Sequence, residues 1–164
     1  MIVFWKLIRR LTLVLSGLAT VVGVPIIILS VLIWYYEGEE YTDGDLFRKA
    51  KECFSEEIEM ADFTEEVLVY FMDTNLWNSG HRVVWPRRGS PMSEIGRILP
   101  ASTYYWCPVR LGDAHALALR FGCHSNYAYL VVVNQDEIIG ENTDVRCVTN
   151  NVVVVFSREL LRGL

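Results

Sequence analysis

The sequence predicts an α+β chain: a single N-terminal transmembrane helix, then a small domain in which one main helix packs on an antiparallel sheet. Three observations carry this reading. Residues 11–36, LTLVLSGLATVVGVPIIILSVLIWYY, include no charged side chain. The stretch TDGDLFRKAKECFSEEIEMAD spaces its apolar residues three and four apart. From residue 103 onward, short runs of strand formers alternate with turn residues, the pattern of strands joined by short connections.

The first segment is read by length and by its flanks. As a helix, residues 11–36 would rise about 39 Å at about 1.5 Å per residue, against a hydrocarbon core of about 30 Å. A cleaved signal peptide has a shorter apolar run and ends in small residues, whereas this run ends in IWYYEGEE. Lys6, Arg9 and Arg10 precede it, and Glu37, Glu39, Glu40, Asp43 and Asp45 follow it. Basic residues stay on the cytoplasmic side. The expectation is a signal anchor: residues 1–10 in the cytoplasm, 11–36 across the inner membrane, and 37–164 periplasmic or extracellular. Pro25 is expected to kink the span. Ser16, Ala19, Thr20 and Gly23, small residues spaced by four, are the expected contact for a second membrane helix.

In the exported part, Asp43 or Asp45 is the expected N-cap of a helix whose stripe is Leu46, Phe47, Ala50, Cys53, Phe54 and Ile58. EVLVYFM (66–72) and HRVVWP (81–86) read as strands, with DTNLWNSG as the connection between them. Ser90 before Pro91 predicts an N-cap and first helical residue, and so a short helix to about residue 98. Further strands are expected at 103–109, 115–121, 127–134, 137–140, 144–148 and 152–156. Asn150 and Asn151 suit a tight hairpin, and SRELLRGL suits a closing helical turn capped by Ser157. In HALALRF, His115, Leu117, Leu119 and Phe121 share one sheet face and Arg120 points the other way. VVVVF does not alternate, so that strand is expected to be covered on both faces.

Charge narrows the partners. All 20 acidic residues lie from Glu37 onward, and between 37 and 73 only Arg48, Lys49 and Lys51 offset them. An acidic surface repels phosphate backbones, so nucleic acid is excluded as a partner. A cationic protein surface is favoured, because complementary fields speed association. Glu52, Glu56 and Glu59 on the acidic helix, with Arg87 and Arg88 projecting from a loop, are the candidate partner-binding residues.

Four cysteines, Cys53, Cys107, Cys123 and Cys147, all lie in the exported part. An even number outside the cytoplasm predicts disulfides, and sequence does not choose among the three pairings; four buried thiols are the alternative. Cys123 precedes His124 in RFGCHSN, but adjacent residues of an extended chain point to opposite faces, so His124 does not serve Cys123 directly. The histidines at 81, 115 and 124 show no metal-ligand spacing, and no phosphate-binding glycine loop is present. No cofactor or metal is expected, and no catalytic residue is assigned. The expected function is a membrane-anchored, non-catalytic protein-binding module, foremost an envelope immunity protein that neutralises a secreted toxin. The alternatives are an accessory single-pass subunit of an envelope complex and a thiol enzyme using Cys123.

Overall fold

The computed structural model describes residues 2–37, 41–54, 59–100, 103–123, 126–134 and 143–164, without the side chains of 2–4, 6–11, 15, 16, 18, 19 and 34–37. Two compact units result, Met1–Glu39 and Glu40–Leu164. The first unit is the helix α1 (Ile2–Glu37), with Pro25 inside it. Among the described residues no helix is long and apolar enough to cross a membrane. This overturns the expected span at 11–36, and with it the inner-membrane location of the chain. Of the small residues expected to contact a second membrane helix, Thr20 is exposed and Gly23 half-buried, while the side chains of Ser16 and Ala19 lie outside the described residues.

The second unit is α+β. Among the described residues four helices, α2 (Asp43–Cys53), α3 (Met60–Met72), α4 (Thr74–Asn78) and α5 (Pro91–Ile98), precede six strands. These are β1 (Cys107–Leu111), β2 (Ala114–Gly122), β3 (Tyr127–Val133), β4 (Val145–Thr149), β5 (Val152–Val155) and β6 (Leu161–Arg162). They form one sheet in the order β4-β5-β3-β2-β1-β6, and every pairing is antiparallel. One main packing helix was expected; four helices contribute instead, because 66–72 and 74–78 are helical. Residues 81–86 supply only an isolated bridge, Val84 to Trp106. The strand expected at 137–140 lies outside the described residues. Ser157 makes no side-chain cap, and the chain ends in a short 3-10 turn (Arg158–Leu160) and β6.

The period-two pattern divides the sheet into two apolar faces. Leu117, Leu119, Phe121, Leu130, Val132, Val152 and Val154 join the helical core with Leu46, Phe63, Val67, Leu76, Met92 and Ile95. The alternate residues Val109, Ala116, Ala118, Val131, Val133, Val153 and Val155 form a second cluster, against which Leu160 and Leu164 pack. β5 is therefore covered on both faces, as VVVVF predicts.

Local chemistry starts the helices. Thr42, not Asp43 or Asp45, caps α2: its hydroxyl accepts from the Asp45 backbone N–H at 3.2 Å, and the Asp45 carboxylate accepts from the Thr42 N–H at 3.2 Å and its hydroxyl at 2.7 Å. Ser90 caps α5 with Pro91 in the first turn, and the Glu66 carboxylate adds a bond from the Met92 N–H at 2.9 Å. The bonds to Thr42, and then the nearby Arg48, hold the Asp45 carboxyl below its ordinary value. A depressed folded-state pKa contributes stability above the unfolded value of about 3.9, and that contribution is lost as pH falls through the folded value. Acid titration of the native chain is therefore expected to loosen α2 below about pH 4. Thr42→Val, which removes the hydroxyl, should reduce this acid sensitivity when helicity is followed by circular dichroism.

Candidate functional site

A feature that could receive a ligand is an apolar cleft of about 470 Å³ between α3 and the open end of the sheet. Its helical wall is a single stripe. Met60, Phe63, Thr64, Val67, Leu68 and Phe71 recur at spacings of three and four and so share one face of α3. The deeper residues of that stripe are committed to the core, with Phe63 1% and Val67 2% exposed. Leu68 stays 47% exposed, and beside it on the same helix stand Val69 at 65% and Met72 at 81%. The opposite wall is the end of β3 (Val132, Val133, Asn134) and the β4–β5 turn (Thr149, Asn150, Asn151, Val152).

That turn brings polar groups to an otherwise apolar site. The Asn151 backbone carbonyl accepts from the Val133 N–H at 2.9 Å, fixing the turn against β3. The Asn151 Oδ1 is buried and has no hydrogen-bond partner among the described residues. A buried acceptor left unmatched costs about 1–3 kcal/mol.

The charge around the cleft is acidic. Glu59, Asp62 and Glu65 are exposed on or just before α3, and α3 carries no basic residue. Glu66 is half-buried and tied to α5. Of the partner-binding residues expected from sequence, Glu52 is exposed on the last turn of α2, Glu59 is the N-cap position of α3, and Glu56 lies outside the described residues. Arg87 and Arg88 are exposed on the loop before α5. Arg87 lies near enough to Tyr70 to oppose the rise in its pKa, which burial and then Glu66 produce.

Cys53 and Cys123 are buried, and Cys107 and Cys147 are half-buried beside the second apolar cluster. Burial pushes the Cys107 thiol up, which keeps it protonated and a poor nucleophile. Cys123 stands at one end of β2 and is 7% exposed. The two described histidines sit at the other end: His115 pairs with Arg110, and His81 lines a cavity with Arg110. The eight residues from 115 to 123 separate them by about 26 Å at strand rise. Neither imidazole reaches the Cys123 sulfur to act as its base. His124 lies outside the described residues. No group of three His, Cys, Asp or Glu among the described residues is placed to hold a metal ion.

Sequence reasoning missed the cleft because it placed 66–72 in a strand. The signal was present in the preceding residues: Met60, Phe63 and Thr64 extend the spacing of Val67 and Phe71 into a helical stripe. In the GCHSN stretch, Asn126 has a structural role. Asn126 donates its side-chain N–H to the Tyr41 carbonyl and to Asp43 Oδ1 at 3.3 Å, docking the β2–β3 connection onto the start of α2. No protein-family model, no curated protein and no solved structure matches this chain.

Proposed function

We propose that the chain is a non-catalytic protein-binding module, and that its cleft takes an apolar segment of a partner flanked by basic residues. The observation that carries this reading is the α3 stripe: a continuous apolar face, half seated in the core and half open, beside a buried acceptor with no partner. An apolar helix or strand entering the cleft covers Leu68. Grooves that receive peptides commonly take apolar anchors in this way. The exposed carboxylates of Glu59, Asp62 and Glu65 favour basic residues at the edges of that segment. Toxin neutralisation is the specific role this reading keeps, with Glu52 and Glu59 on the acidic surface; charge reversal at both should then remove protection and leave the melting curve unchanged.

The test uses a photo-crosslinking residue in place of Leu68 in the full chain, with Arg158, exposed in the 3-10 turn, as the control site. The expected result is one adduct at position 68, none at 158, and an identified partner segment that is apolar with basic flanks. A synthetic peptide of that segment should bind the native chain and bind Leu68→Asp at least about tenfold more weakly. Equal labelling at both sites, or a peptide indifferent to Leu68→Asp, contradicts the reading.

A further inference from the structure

A second concave site stands at the other edge of the sheet and is unlike the first in charge. Arg162 on β6 lies opposite Arg110 on β1, and Arg110 lies opposite His115 on β2. Val109, Leu111 and Leu161 belong to the second apolar cluster, so alternation puts Arg110 and Arg162 on the opposite face, with His115. Residues directly opposite in an antiparallel pair hold their Cβ atoms about 4.5–5.5 Å apart, and like charges so placed repel.

α4 closes this corner. The Trp77 ring stacks on His115 at 4.5 Å between centroids and on Phe71 at 5.9 Å. A cavity of about 210 Å³ results, with Trp77, His81, Arg110 and Arg162 in its wall. Every ionisable side chain in that wall is basic. At this sheet edge no described carboxylate bridges Arg110 or Arg162. The Trp77 indole N–H is buried and has no acceptor among the described residues. Gly80 and Gly163 complete the wall in left-handed conformations, φ 71° and 105°, and present backbone without a Cβ.

We propose that this cavity is a binding site for a phosphate monoester. Two arginines that face each other across β1 and β6 and a histidine line one small space, and an anion bound there offsets the repulsion between the arginines. A phosphoryl group carries close to two negative charges at neutral pH and three acceptor oxygens, which the planar forks of two arginines match. A carboxylate offers one charge and leaves the second arginine uncompensated. The cavity is below the roughly 300 Å³ of an ordinary small-molecule pocket, so it holds the phosphoryl head while the rest of the ester remains outside.

Isothermal titration of the full chain with inorganic phosphate at constant ionic strength tests the site. Saturable binding is expected, with acetate at least about tenfold weaker. Arg110→Gln and Arg162→Gln should each weaken phosphate about tenfold to a hundredfold without lowering the thermal midpoint of the unliganded chain. Arg162→Lys, which keeps the charge and loses the fork, should fall between. Glycerol phosphate and a phosphoserine peptide then distinguish a free metabolite from a modified side chain as the source, and saturable binding of either through both arginines upholds the site. Absence of saturation by about 10 mM phosphate, or binding unchanged in both glutamine variants, overturns it.

Discussion

Trp106→Ala is expected to destabilise the fold by about 3–5 kcal/mol, a large share of the 5–15 kcal/mol that holds a domain of this size together. Trp106 is fully buried and is the largest side chain of the core. Its indole N–H donates to the Met92 carbonyl at 3.2 Å, its ring meets Phe63 at 6.2 Å, and its backbone bonds Val84 in both directions. One residue therefore ties α3, α5, the 81–86 segment and the start of β1 to the helical face of the sheet. Truncation removes the apolar contact and the hydrogen bond together and leaves a cavity at their junction. Urea unfolding followed by near-ultraviolet circular dichroism measures the loss. A change below about 1 kcal/mol would mean that these elements are held some other way.

Gly122→Ala is expected to cost roughly 2–5 kcal/mol for the addition of a single methyl group. Gly122 ends β2 with φ 108°, where a Cβ is strained. The added carbon would stand 2.6 Å from the Asn126 carbonyl oxygen and 2.8 Å from the Tyr127 Cα, both backbone atoms of the facing strand and its connection. Neither can swing aside as a flexible side chain does. The strand end would have to open, and with it the bonds from Asn126 to the start of α2 and from the Gly122 N–H to the Pro100 carbonyl. Gly112 is the control: it also has positive φ, at 62°, but a Cβ there meets nothing within 4 Å. Gly112→Ala should therefore cost clearly less than Gly122→Ala in the same urea series.

The sheet was legible because its residues alternate. His115, Leu117, Leu119 and Phe121 fall on one face and Ala116 and Ala118 on the other, as the two-residue period requires. Ser90-Pro91 and the Asn150-Asn151 turn were legible because cap and turn chemistry is local. EVLVYFM was misread because its composition favours a strand, while its packing is decided by partners far along the chain. Phe63 and Val67 reach the core only on a helix, and Leu68 and Val69 then face outward. The transmembrane reading rested on the uncharged run, its length and its charged flanks, and among the described residues no helix is long and apolar enough to cross a membrane. Both candidate sites escaped the sequence for one reason: each joins elements distant along the chain. The cleft unites α3 with a turn about eighty residues later, a connection that short-range pattern reading does not reach. The basic cavity depends on β6, a strand of two residues.

Cys107 illustrates the limit of reading chemistry from residue type. Four cysteines suggested disulfides or a reactive thiol; the sheet places Cys107 and Cys147 beside apolar strand residues, and Cys53, the last residue of α2, lies in the helical core.

The central claim is that the α3 cleft is where a partner binds. Amide hydrogen exchange of the full chain, with and without the cross-linked partner segment, measures this most directly. The account predicts slowed exchange confined to α3 and to the residues 149–152 that face it, with the β1–β6 edge unchanged. Slowed exchange at the β1–β6 edge or across α5, with α3 unaffected, would contradict it and move the binding surface elsewhere.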